Sequence, residues 1–162
     1  MQTAITVGSV VDQTSYGAIA TRVLTFDKQA PESTMRFVYY DHLRALSDPG
    51  TDGGCHWVLQ VDGADCPSGR IGGFIYSVNA GACVAALCAS FHFIACCLLA
   101  SLLLLADDPH RPRVIEGYCD GLSAGEHKLS VFVTRDGFNR GYCWTGDFAP
   151  GGTFTLEAKE GP

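Results

Sequence analysis

The 162-residue sequence predicts an all-β domain built as an antiparallel β-sandwich or jelly roll. Three observations carry this. Short stretches rich in β-branched and aromatic residues alternate with a period of two. Turns rich in Gly, Pro and Asp separate them at close intervals. Strand–helix alternation of the kind that builds a parallel sheet is missing. The length is that of one domain, and residues 1–162 are read as a single unit.

The elements follow in order. ATRVLTF (20–26) and TMRFVYY (34–40) have strand composition, joined by the loop DKQAPES. Met35, Phe37 and Tyr39 share one face; Arg36, Val38 and Tyr40 share the other. SDPGTDGG (47–54) is a loop. Trp57, Leu59 and Val61 then alternate with Val58, Gln60 and Asp62, and Asp62-Gly63 marks a turn. GGFIYSV (72–78) is a shorter strand, and DDPHRPR (107–113) reads as a Pro-broken polar loop. VIEGYC holds a short strand. KLSVFVT (128–134) places Leu129, Val131 and Val133 on one face and Ser130, Phe132 and Thr134 on the other. RDGFNRG is a turn on Asp136-Gly137, and TFTLEAKE (153–160) is a final strand with Phe154, Leu156 and Ala158 inward. Seven or eight short strands make a sandwich the expected architecture.

One segment breaks the pattern. GACVAALCASFHFIACCLLASLLLLA (81–106) carries no charge. As a helix, residues 82–106 would reach about 37 Å, enough for a bilayer core of about 30 Å. A span would part strands that must pair in one sheet and leave backbone groups without partners. A small sandwich also lacks room for a buried helix of that length. The favoured reading is an insert of non-coding origin that interrupts the β-fold, and its composition predicts a helix.

The net charge of −6 argues against a nucleic-acid surface. Eight cysteines fall into two sets: Cys83, Cys88, Cys96 and Cys97 in the run, and Cys55, Cys66, Cys119 and Cys143 outside it. The second set, spread through a Gly-rich β-pattern, predicts two disulfides and an oxidising compartment; all three pairings stay open. The first residues lack a signal peptide's basic and apolar regions, so an extracellular chain is expected to be a fragment or an incomplete gene model.

The chemistry-bearing motifs are sparse. His42, His56, His92, His110 and His127 lack zinc-ligand spacing. Cys55 and His56 are strand neighbours that point to opposite faces. Asp48 and Asp52 lack the further acidic ligands of a strong calcium loop. GRIGG is not a phosphate loop. GLSAG precedes a strand where a hydrolase elbow requires a helix. No N-x-S/T sequon occurs. No catalytic residue, metal site or cofactor is expected.

WVLQVDGADC (57–66) and VIEGYCDGLSAGEHKLSVFV (114–133) resemble the C-terminal globular domain of the collagen triple helix repeat-containing proteins. The shared features are Trp57, then Gly63-Ala64-Asp65-Cys66, then Glu116-Gly117-Tyr118-Cys119-Asp120-Gly121 with Ala124-Gly125. Cys66 and Cys119 match the family's cysteines, Cys55 lies near those before the Trp, and Cys143 falls outside the aligned segments. The resemblance implies a secreted C1q/TNF-like jelly roll, a homotrimer, and roles in matrix remodelling and Wnt-linked signalling. Phe132, Phe138 and Tyr142 are the candidate oligomer contacts, being large, apolar and off the inward face. The expected function is therefore a non-enzymatic extracellular module that binds matrix or receptor proteins. Two alternatives stand beside it. One is a single-pass membrane protein with an extracellular β-domain. The other is a small enzyme or lectin, which fold alone does not exclude.

Overall fold

Alternation decides which side of each strand meets the core. A computed structural model of the chain describes residues 2–8, 11–46, 53–77, 111–135, 142–146 and 153–161. The strands are β1 (Gln2–Gly8), β2 (Gly17–Lys28), β3 (Met35–Leu46), β4 (Gly53–Val61), β5 (Ala64–Asp65), β6 (Ile71–Ser77), β7 (Arg111–Cys119), β8 (Gly125–Arg135), β9 (Tyr142–Thr145) and β10 (Thr153–Glu160). Along β3 the residues Met35, Phe37, Tyr39, Leu43 and Ala45 are buried. Trp57, Leu59 and Val61 of β4, Leu129, Val131 and Val133 of β8, and Phe154, Leu156 and Ala158 of β10 join them. These are the inward faces that the alternation predicts.

All pairings are antiparallel. One sheet has the order β1-β10-β3-β7, with β9 beside β3; the other has β2-β8-β4-β5, with β6 beside β4. Leu43 pairs with Arg111 of β7 and Thr145 of β9, so β9 flanks β3 on the edge opposite β7. Each sheet turns one apolar face toward the other, which is the layer solution for antiparallel sheets. Among the described residues every regular element is a strand, and no helix is long and apolar enough to cross a membrane. The helical insert expected at 81–106 and the candidate contact Phe138 lie outside the described residues.

Several strands exceed their sequence-based bounds. β3 continues through Leu46, and β1, β5 and β9 have no counterpart among the expected strands. β7 begins at Arg111, inside the stretch expected to be a loop, and takes in Pro112 opposite His42. Proline is tolerated there because β7 is the outermost strand of its sheet, where a missing donor breaks no central ladder. Asp62 (φ 53°) and Gly63 (φ 81°) make the tight turn between β4 and β5. Both dihedrals are positive, as a two-residue hairpin with the strands' own twist requires.

Two disulfides join the sheets. Cys55 of β4 bonds Cys143 of β9, with Cα atoms 5.8 Å apart, and Cys66 after β5 bonds Cys119 of β7, at 5.7 Å. Facing sheets lie about 10 Å apart, too far for a disulfide, so the bonds mark places where the two layers converge. Cys119 pairs in register with Met35 and Cys143 with Ala45. The two bonds therefore clamp opposite ends of β3.

At the β6–β7 edge, glycine is a packing requirement. A Cβ on Gly117 would lie 2.7 Å from Ile71 Cγ2. Gly117→Ala is expected to lower stability by about 1–3 kcal/mol through overpacking. Chemical denaturation should show a lower midpoint with an unchanged m-value.

Candidate functional site

The same alternation that buries the core carries polar groups inward. Arg22 and Lys28 have the parity of Leu24 and Phe26 in β2, and Asp41 has that of Tyr39 and Leu43 in β3; all are buried. The register of β2 against β8 shifts between Ala18 and Val23, an interval that contains Arg22, and such irregularities re-aim side chains. Arg22 Nε donates to Asp41 Oδ2 at 3.2 Å, and the Tyr39 hydroxyl donates to the same oxygen at 2.7 Å. Asp41 Oδ1 accepts the His42 backbone N–H at 2.7 Å. The guanidinium also lies 4.4 Å from the centre of the Phe154 ring. Burial pushes the Asp41 carboxyl above its usual range despite Arg22, and burial together with Asp41 pushes the Tyr39 phenol well up. Desolvation opposes the pairing, so replacing the whole cluster by apolar residues is expected to cost less than breaking it on one side.

A second cluster sits at the Cys66–Cys119 end. His127 of β8 places Nδ1 2.7 Å from Asp62 Oδ2 and Nε2 3.0 Å from the Ser123 carbonyl. Its ring stacks on Phe26, and Asp62 Oδ1 accepts the Lys128 backbone N–H at 2.8 Å. Two acceptors around one ring favour the imidazolium, which donates to both. The Asp62 hydrogen bond raises the His127 pKa against burial and nearby Lys28. Against desolvation, His127 and the Lys128 N–H hold the Asp62 carboxyl below its usual range. Both ring nitrogens are engaged, so the side chain clasps the Asp62 turn to the Ser123 loop.

The pH dependence follows from these directions. His127 binds its proton more tightly folded than unfolded, so its stabilisation is complete below about pH 6.5. That stabilisation is lost as pH rises through the folded value. Glu160 behaves oppositely. Bonds from the Ser33 hydroxyl and the Ala30 N–H lower its pKa to about 2, so its contribution is present above the ordinary Glu value and fades as pH falls toward about 2. Melting temperature should therefore decline as pH rises above about 6.5, and His127→Gln should flatten that decline.

The outer face of the β1-β10-β3-β7 sheet, with β9 beside β3, carries four of the exposed large apolar side chains. Across β7, β3 and β10 its cross-strand rows read Tyr118–Arg36–Lys159, Glu116–Val38–Glu157 and Val114–Tyr40–Thr155. Beyond them, Arg44 pairs with Trp144 and Leu46 with Tyr142. Tyr118, Val114, Tyr40 and Tyr142 are exposed. Arg36 Nε pairs with Glu116 at 2.7 Å, and the neutral Gln2 amide donates to Glu157 at 3.1 Å. A depression of about 360 Å³ lined by Thr34, Arg36, Tyr118 and Lys159 lies at the charged end.

No protein-family model and no curated protein matches the chain. Among the described residues no cluster of three His, Cys, Asp or Glu side chains could hold a metal ion. All four cysteines expected to form disulfides do so, in two bonds. Cys55 is buried while His56 stacks its ring on Phe74 outside, so the neighbours diverge as strand geometry demands. The candidate contacts separate: Tyr142 is exposed on β9 of one sheet, whereas Phe132 is half-buried against Tyr16 on β8 of the other. The motif reading did not single out Arg22, Asp41 or Asp62 as partners. The signal was available for Arg22 and Asp41, since each shares parity with obvious core residues.

Proposed function

We propose that the chain is a non-enzymatic, secreted module with a C1q/TNF-like jelly roll. It assembles as a homotrimer through the outer face of the β1-β10-β3-β7 sheet and binds matrix or receptor proteins. The observation that carries this reading is the set of exposed Tyr118, Val114, Tyr40 and Tyr142 on one sheet face, with Val114 and Tyr40 directly opposite each other. Exposed apolar side chains gathered on one face mark association sites, and aromatic residues are enriched in them. The strand orders β1-β10-β3-β7 and β2-β8-β4-β6 support the jelly roll, since they interleave early and late strands in both sheets. Two disulfides support an oxidising, extracellular setting. The matrix and Wnt-linked roles rest on the family resemblance.

The single-pass alternative meets a topological obstacle. Both disulfides join a cysteine before residues 81–106 to one after them, and β4 pairs with β8 across the same interval. A single span would place those partners on opposite sides of a membrane.

Sedimentation velocity on the purified chain tests the assembly. At roughly 10 μM, in the range where standard-size interfaces are populated, a trimer is expected. Tyr40→Glu should convert it to monomer with little loss of stability. A wild-type monomer at that concentration refutes the proposal.

A further inference from the structure

We propose a second binding site, independent of the assembly reading, on the outer face of the opposite sheet. It is a shallow site on β4 and β6 for a linear, uncharged oligosaccharide. Phe74 and Tyr76 follow each other on the outward side of β6, about half exposed, with ring centres 6.1 Å apart. His56 of β4 backs Phe74 at 4.3 Å. Together the rings form a wall beside a depression of about 200 Å³ lined by His56, Val58, Arg70, Gly72 and Phe74.

The floor needs glycine. A Cβ on Gly72 would lie 2.8 Å from the Trp57 carbonyl oxygen, so a side chain there would displace the backbone as well as fill the site. Across the depression stands Arg70, whose Nε donates to Asp65 Oδ2 at 2.8 Å. The carboxylate orients the guanidinium and leaves its terminal N–H groups available for a neighbouring acceptor.

This chemistry selects one class of occupant. The electron-rich face of an aromatic ring attracts the weakly positive C–H face of a pyranose. Two rings on alternate residues of one strand offer successive stacking surfaces in line, which suits consecutive sugar units. The Arg70–Asp65 pair is neutral as a unit and presents donors and acceptors together. Hydroxyl groups, which both donate and accept, complement it; a ligand of either net charge meets one repelling partner. The site is also smaller than the roughly 300–1,000 Å³ of drug-sized pockets, which fits one or two sugar rings.

Saturation-transfer NMR on the full chain, with cellobiose, lactose, maltose and N,N′-diacetylchitobiose as probes, tests the proposal. At least one disaccharide is expected to receive saturation on its C–H face, with a Kd on the order of millimolar. Phe74→Ala should weaken that binding about tenfold while lowering the melting temperature by only a few degrees, about what loss of the half-exposed His56–Phe74 cross-strand contact costs. Arg70→Ser, at an exposed position, should weaken it by about three- to tenfold and serves as the second variant. The absence of saturation for all four sugars overturns the proposal. So does binding that both variants retain in full, or binding confined to a sulfated heparin disaccharide.

Discussion

The Cys55→Ala, Cys143→Ala double variant is expected to lose about 4 kcal/mol of stability, and the Cys66→Ala, Cys119→Ala variant a similar amount. The reason lies mostly in the unfolded chain. Bonds across 88 and 53 residues restrict the denatured ensemble severely, and loop-closure entropy puts each at about 4–5 kcal/mol when it acts alone. The Cys66–Cys119 loop is nested within the other, so the two contributions do not add. A domain of this size shifts its melting temperature by about 2–4 °C per kcal/mol. Each double variant should therefore melt roughly 10 °C lower, and full reduction should lower it further. Calorimetry of the oxidised, reduced and variant proteins checks this. Losses below about 1 kcal/mol would mean that the sheets hold together without their clamps.

Removal of the Asp41 carboxylate should have an effect of comparable size. Asp41→Ala leaves the Arg22 guanidinium and the Tyr39 hydroxyl buried without their shared acceptor. Breaking a buried pair on one side costs about 3–5 kcal/mol, because the remaining charge has no compensation. Replacing the whole cluster tests the cause. In Arg22→Met, Tyr39→Phe, Asp41→Val, no polar group is stranded, and most of the loss should return. If the triple variant is as unstable as Asp41→Ala, the stranded charge is not the source of the loss, and the polar cluster itself stabilises the fold. Urea denaturation of both variants with a common m-value distinguishes the two.

The contrast between these clusters shows how far residue pattern reaches. Period-two alternation placed Trp57, Leu59, Leu129, Val131, Phe154 and Leu156 inward, and all are buried. Asp62-Gly63 announced its turn, and both residues take the left-handed conformation. The same alternation applied to Arg22 and Asp41 would have put them in the core, but a charged residue at an inward position is ordinarily the sign of a wrong register. Only the proximity of the two chains turns that conflict into a pair. β1 is an edge strand held by its neighbour β10, and the four-residue β9 is held by β3; strand propensity is weak without such context.

Local chemistry alone thus decided that this chain makes β-structure, where most strands lie, which side of each is apolar, and which four cysteines are bonded. Those properties depend on side-chain alternation and turn residues within a few positions of each other. Tertiary structure decided the order of strands in two sheets and the choice of Cys55–Cys143 and Cys66–Cys119 among three pairings. It also decided the meeting of His127 with Asp62, 65 residues away, and the separation of Phe132 from Tyr142. Each of these depends on remote segments converging in space, and the free energy of that convergence belongs to the whole core and to no single stretch of sequence.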